Sequence, residues 1–393
     1  MGIAFDGRSL AQPVLRGMDR YLVGLASALE RRGVRVSLLH RARQPLNEEH
    51  LEGLRADLVP VRDVSGLHWE QVALPWAIGR GGYDLYHAPC EHGVPLMSPR
   101  PIVMTVHSVT QHSYLDLVES GRLPGTIKDY LGFSASPYSF TFPNLYWRSQ
   151  VARANHILTP SQFTRDETIR FLGLQPDRVT VTPLAVPQAF TGPPTDSKER
   201  ARTLEALGVT PPYLLYVGGF EPHKNVPGLL RTFVRVREAR PELSLVVVGS
   251  KTPPTELRQQ AVRCGLHPGE GPRFLANISD ELVHLYDGAE AFVSLSWRES
   301  FGLPALEALS RGCPVVVSEW GAAREVVGES GILLDPRDEE RAASEILALL
   351  KRSDREERAS RGRETAARFS WDRTADATLA VYEQLVRGRR GTS

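Results

Sequence analysis

The sequence predicts an α/β protein of two domains, each a Rossmann-like parallel sheet with crossover helices. Three observations predict this class. The chain has 393 residues, long for one domain and sufficient for two that each bury a core. Short apolar runs alternate with helical patterns along it, as expected for strands covered on both faces by helices. A Pro- and Gly-rich stretch at residues 190–197 then separates two halves of similar architecture.

In the first half the apolar runs at residues 34–39, 84–87, 102–107, 156–159 and 179–181 read as strands. Residues 19–32 carry Leu22, Leu25, Ala26 and Leu29 at helical spacing and stop at Gly33, a suitable helix end. The second half opens a new series of strands at residues 213–217, 243–248, 291–295 and 314–317, each followed by a helical pattern. Residues 371–386 form an amphipathic helical pattern after a charged stretch. The expected organisation is a first domain over residues 1–190, a second over 191–370, and a terminal helix over 371–393 that either caps its own domain or returns to the first.

Composition narrows the function classes. The formal charge is +1, and the halves divided near residue 190 carry 19 basic against 17 acidic residues and 28 against 29. No strong field points to nucleic acid or to an anionic surface. Cys90, Cys264 and Cys313 lie far apart without metal spacing, which fits buried thiols in a reducing compartment. The first residues lack the pattern of a secretory leader, and no run of about 18 apolar residues occurs. The expected location is the cytoplasm, with room for weak peripheral association with the inner face of the cell membrane.

One segment departs from the alternation. Residues 114–147 hold eight aromatic residues interleaved with Gly and Pro. A long irregular insertion of this kind serves either as a platform for sugar rings or acyl chains or as a local hydrophobic cluster.

Several nucleotide motifs are absent. There is no G-x-G-x-x-G between strand and helix and no G-x-x-x-x-G-K-[ST], which disfavours a hydride-transferring reductase and a P-loop nucleotidase. No Asp-x-Asp dyad and no His/Cys/carboxylate cluster at zinc spacing occurs, so no metal is expected. The chemistry that is present stands at the ends of second-half strands. Gly218 and Gly219 permit close backbone approach to a ligand, and Lys224 precedes a helix start, where free N–H groups attract phosphate. The chain has only five lysines against 42 arginines, which makes a lysine here less a random basic choice. Further on, Pro304 suits a first helical turn, placing Glu299 in a loop and Glu307 one turn inside the helix. The amides of Phe301, Gly302 and Leu303 then point at an anion, Glu307 suits a ribose diol and Glu299 suits sugar hydroxyls.

The segment from Glu299 to Glu307 resembles the E-x7-E motif of the retaining GT-B glycosyltransferases of family 4. The resemblance covers nearly the whole chain. Residues 314–318, Gly321, 325–328 and 331–336 look like the family's following loop, helix and strand. Thr105-Val106-His107 resembles the strand end that presents a histidine to the donor sugar. Arg16-Gly17-Met18 followed by Tyr21 resembles the loop where acceptor and diphosphate meet, and residues 159–164 look like a strand-to-helix turn with Ser161 as cap. Gly219 stands where many relatives carry Arg, with His223 or another Arg as the compensating cation, and Ser108 stands where Asp is common.

The resemblance implies GT-B architecture, with two domains facing across a cleft, and retaining transfer of a hexose from a nucleotide-sugar donor without metal or other cofactor. His107, Lys224 and Glu299 would be catalytic. Gly218, Gly219, Lys224, Phe301, Gly302, Leu303 and Glu307 would bind the donor, and Gly17 and Met18 would meet acceptor and diphosphate. The Gly218-Gly219 form with Lys224-Asn225 is similar to mannosyltransferases that use GDP-mannose; a UDP-sugar is the alternative. The acceptor would be a glycan or a lipid-linked glycan. A phosphorylase or epimerase on the same fold and a non-catalytic nucleotide-sugar-binding subunit are the competing readings.

Overall fold

The computed structural model describes residues 1–12, 15, 17–109, 116–123, 147–249, 252–266 and 271–390. They divide into two units: one drawn from residues 1–109, 147–185 and 370–390, the other from 116–123 and 186–369.

The first unit is built on seven parallel strands in the order β3-β2-β1-β4-β5-β6-β7. They are β1 (Gly2–Asp6), β2 (Arg35–Arg41), β3 (Asp57–Val61), β4 (Leu85–Ala88), β5 (Ile102–Thr105), β6 (His156–Thr159) and β7 (Val179–Val181). Central strands β1, β4, β5 and β6 are buried at every position, which is why all but β1 stand out in the sequence as continuous apolar runs. Helix α1 (Gly17–Arg31) follows β1 and buries Tyr21, Leu22, Leu25, Ala26 and Leu29. Gly33, at φ +75°, ends its turn in the left-handed region that favours glycine. Helix α2 (Gln162–Leu172) starts at Ser161, whose Oγ accepts from the Thr164 amide at 3.0 Å.

The C-terminal helix (Trp371–Arg390) belongs to this first unit and packs along α1. Gly24 makes that contact possible, since a Cβ there would stand 2.3 Å from the Trp371 ring. Arg32 donates to the Asp372 carboxylate at 2.8 Å and to its carbonyl at 2.7 Å, and also pairs with Asp376.

The second unit has six parallel strands in the order β10-β9-β8-β11-β12-β13. They are β8 (Tyr213–Val217), β9 (Ser244–Gly249), β10 (Arg273–Ala276), β11 (Ala291–Ser294), β12 (Val315–Ser318) and β13 (Gly331–Leu334). Leu214, Tyr216, Leu229, Phe233, Val247, Val293 and Ile346 form its core. The Pro- and Gly-rich stretch lies inside this unit and is pinned to it. Arg311 donates to Gly192 O at 2.8 Å and Pro193 O at 2.7 Å while pairing with the buried Asp287, which also accepts from the Thr195 amide.

Of the aromatic insertion, Leu117, Val118 and Leu123 cluster with Trp297 and Trp320 in the second unit, and Trp147 packs on the first unit's core. The rest of the insertion lies outside the described residues, as does Arg16. Among the described residues no helix is long and apolar enough to cross a membrane.

Candidate active site

The second sheet changes direction between β8 and β11, which are paired neighbours although their first positions lie 78 residues apart. Open parallel sheets bind ligands at the carboxyl end of such a point. The chain leaves β8 through Gly218 and Gly219, makes a tight turn at Pro222–Lys224, and enters helix α3 (Val226–Ala239). Asn225, at φ +48°, caps α3 by accepting from the Gly228 amide, and its Nδ2 donates to Leu295 O at 2.9 Å. The Trp297 amide donates to His223 O at 2.9 Å. These bonds tie the two loops together and bring Lys224 to Glu299.

The Lys224 Nζ donates to both Glu299 oxygens at 3.0 Å, and each side chain is 22% exposed. Burial pushes the Glu299 carboxyl upward, but the Lys224 charge and donation from Ser296 prevail and hold it below the ordinary carboxylate range. Glu299 is therefore ionised at neutral pH. Its backbone is fixed by a bridge to Gly321, where a Cβ at φ +96° would collide with Glu299 O at 2.3 Å. An ammonium has three donors, and only two are committed to Glu299 among the described residues.

Beyond Glu299 comes helix α4 (Leu303–Ser310), with Gly302 as its N-cap at φ +90° and Pro304 in its first turn. The amides of Phe301, Gly302 and Leu303 have no acceptor among the described residues, so this helix start presents unspent donors. Lys224, Glu299, Phe301 and Gly302 line one cavity that is partly open to solvent. Gly218 and Gly219 directly follow Val217 in its wall, and Leu303 follows Gly302.

Glu307 is on the buried side of α4, is 1% exposed, and accepts from Tyr286 Oη at 2.9 Å. It does not line the cavity with Glu299. His223 does not replace the missing cation at Gly219. Burial, reinforced by the Lys224 charge, lowers its pKa to about 4, so it is neutral at pH 7. A side chain at Gly219 would meet the Glu221 carboxylate at 1.8 Å, and that carboxylate would have to swing away to admit one.

His107 stands in the first unit, just past β5. Its Nε2 donates to Pro89 O at 2.8 Å, which fixes the tautomer of the neutral ring and leaves Nδ1 as the acceptor. Glu91 Oε1 accepts from the amides of His107 at 2.6 Å and Ser108 at 3.0 Å. That one carboxylate orients the corner despite the Ser108 departure. Behind His107 runs a buried chain of polar groups. Tyr21 packs edge-on against its ring at 4.9 Å and shares a 2.8 Å hydrogen bond with Thr105. Thr105 bonds His87 Nε2 at 2.8 Å, and His87 Nδ1 bonds Tyr382 of the C-terminal helix at 2.5 Å. Gly17 and Met18 open α1, with Asp19 buried in its first turn. Glu91, Ser296 and Tyr286 carry no signal in the sequence, because each is a single residue brought in by the fold.

Two family matches divide the chain between them: residues 15–190 match Glycosyltransferase Family 4, and residues 197–367 match Glycosyl transferases group 1. A D-inositol 3-phosphate glycosyltransferase of Xylanimonas cellulosilytica is 30% identical over 95% of this chain and 93% of its own length. The chain belongs to glycosyltransferase family 4.

Other relatives agree with this membership. The O-antigen chain mannosyltransferase B of Escherichia coli is 36% identical over 59% of this chain, a match that spans 61% of that enzyme. Among solved structures, sucrose-phosphate synthase from Thermosynechococcus elongatus superposes with a TM-score of 0.73 over 99% of this chain and all of that one, at 20% identity. An Anabaena protein, HepE, solved in complex with UDP-glucose gives a TM-score of 0.74 over 98% and 100%, also at 20% identity. The two Rossmann-like sheets are those of the GT-B class, and the chain is a glycosyltransferase.

Proposed function

We propose that this family 4 member transfers a hexose, with retention of anomeric configuration and without a metal, from a nucleotide sugar to a hydroxyl of a glycan or lipid-linked glycan. The favoured donor is GDP-mannose. The reading is carried by the Lys224–Glu299 pair at the β8/β11 switch point, next to the unspent amides of α4. Transfer requires departure of a nucleoside diphosphate, so charge builds on the leaving phosphate. Fixed donors aimed at that charge lower the barrier most. Lys224 and the amides of Phe301, Gly302 and Leu303 supply them, with Glu299 holding Lys224 in place and accepting from sugar hydroxyls. Glu307, buried against Tyr286 and outside the cavity, takes no ligand in this reading, and His107 of the first unit offers Nδ1 as an acceptor for a sugar hydroxyl.

The mannosyl preference draws support from the O-antigen mannosyltransferase relative, which is the more identical of the two described. A thermal-shift panel of GDP-, UDP-, ADP- and TDP-sugars tests the donor, because a ligand that binds only the native state raises its stability with concentration. Largest stabilisation by GDP-mannose is expected. Preferential stabilisation by a UDP-sugar would replace the donor, and no response to any of the four would remove the reading.

A further inference from the structure

The C-terminal helix buries hydroxyls where a docking helix ordinarily buries an apolar stripe. Thr374, Thr378 and Tyr382 follow one another at helical spacing on its buried side, and none is more than 2% exposed. Phenylalanine at position 382 would bury the same ring with no hydroxyl to satisfy. The Tyr382 hydroxyl finds its partner in Nδ1 of His87, on β4.

From His87 the hydrogen bonds cross the strands toward His107. His87 Nε2 bonds Thr105 Oγ1 on β5 at 2.8 Å, and Thr105 Oγ1 bonds Tyr21 Oη on α1 at 2.8 Å. No side chain of these four is more than 1% exposed. Burial keeps His87 neutral, with its pKa lowered to about 3, and keeps both tyrosines protonated by raising theirs. Each member then carries one exchangeable proton, so each hydrogen bond between them has a donor. A buried network satisfied in this way is rigid.

Tyr21 is the end of the network that meets His107. Its ring stands edge-on to the imidazole, with centroids 4.9 Å apart at 82°, and Trp371 of the C-terminal helix backs it at 6.2 Å. The His107 ring also donates from Nε2 to Pro89 O. One hydrogen bond leaves a ring free to rock about it. Contact with a ring that is itself held removes this freedom and fixes where Nδ1 points.

We propose that Tyr382 is a positioning residue for His107, acting from the C-terminal helix through His87, Thr105 and Tyr21 to hold the ring that aims Nδ1. The inference rests on the reading of His107 as an acceptor for a sugar hydroxyl, and it gives the last helix a part in turnover as well as in stability. Tyr382→Phe in the full chain tests it, since it deletes one oxygen remote from His107. With isotope-labelled histidine, the imidazole NMR signals of His107, assigned through His107→Gln, should shift or broaden. The kcat with the preferred nucleotide sugar should fall about tenfold while KM stays within about twofold, roughly one hydrogen bond of positioning. Thr378→Val is the control: it removes a buried hydroxyl one turn earlier that has no hydrogen-bond partner among the described residues, and both readouts should keep their wild-type values. The double variant His87→Phe/Tyr382→Phe leaves neither half of their hydrogen bond unpaired, so it serves even where the single variant is unstable. Its stability by urea denaturation should approach that of the wild type while kcat stays low. Wild-type His107 signals in Tyr382→Phe, recovery of kcat in the double variant, or an equal response to Thr378→Val would overturn the assignment. The His107 signals are read without substrate, so a chain that turns over no nucleotide sugar loses the parent reading while the spectra still judge this one.

Discussion

Replacing Lys224 with Met removes one charge and little volume, and its consequences divide between stability and catalysis. In the native protein Nζ lies 3.0 Å from both Glu299 oxygens, and the carboxylate is held below its ordinary range despite burial. Without Lys224, burial loses its main opponent, donation from Ser296 remains, and the Glu299 pKa rises. Breaking a fully buried pair costs about 3–5 kcal/mol. Here each side chain is 22% exposed, so water screens part of that, and about 1–2 kcal/mol is expected at pH 7. The catalytic cost is larger. Loss of one fixed donor to a developing oxyanion lowers kcat by about 10²–10³. The double variant Lys224→Met/Glu299→Gln separates the two effects, because it leaves no unpaired charge. Urea denaturation should recover most of the lost stability, while kcat with the preferred nucleotide sugar stays at the single-variant level or below. Wild-type kcat in Lys224→Met, or recovery of kcat in the double variant, would refute the reasoning.

Three further outcomes follow from the first unit. Glu91→Gln exchanges a charged acceptor of two backbone N–H groups for a neutral one. It should lower kcat about tenfold through the His107 corner and leave the midpoint of thermal unfolding within a few degrees, the equivalent of about 1 kcal/mol; equal kinetics would show that Glu91 does not position His107. Gly24→Val drives a side chain into the Trp371 ring and should cost about 1–3 kcal/mol by urea denaturation, with unchanged stability counting against the α1 contact. His87 has its pKa lowered to about 3 by burial and then by the nearby His107. The unfolded chain binds this proton below about pH 6.5 while the native chain refuses it until about pH 3, so His87 makes stability fall as pH drops through that window. His87→Gln should flatten that part of the pH–stability curve, and an unaltered slope would contradict the buried neutral ring.

Much of the fold was legible because strands covered on both faces become uninterrupted apolar runs. Strands β5, β6, β8, β11 and β12 are of that kind. Strand β1 was passed over although buried at every position, since five residues that open with Gly and close with Asp at the chain start lack flanking context. Strands β3 and β10 lie at sheet edges and are largely exposed or half-buried, and β3 carries Pro60, so neither gives a clear period. The site was legible where local backbone rules apply: Gly302 and Pro304 announce a helix start, and Gly218 and Gly219 a close turn. Contacts set by strand order were not. Lys224 meets Glu299 because β8 neighbours β11, and Glu91 meets His107 because β4 neighbours β5. Glu307 illustrates the limit from the other side. Spacing predicted that it would share one ligand face with Glu299, whereas the turn of α4 directs it to Tyr286 on the buried side.

The anomeric outcome of donor turnover in the presence of a metal chelator tests the central claim most directly. With GDP-α-mannose as donor, one-dimensional proton NMR of the first-formed sugar should give the α anomer before mutarotation, at the same rate with and without EDTA, and the signal should be lost in Lys224→Met. First formation of the β anomer, abolition of turnover by EDTA, or no consumption of any nucleotide sugar would contradict the account.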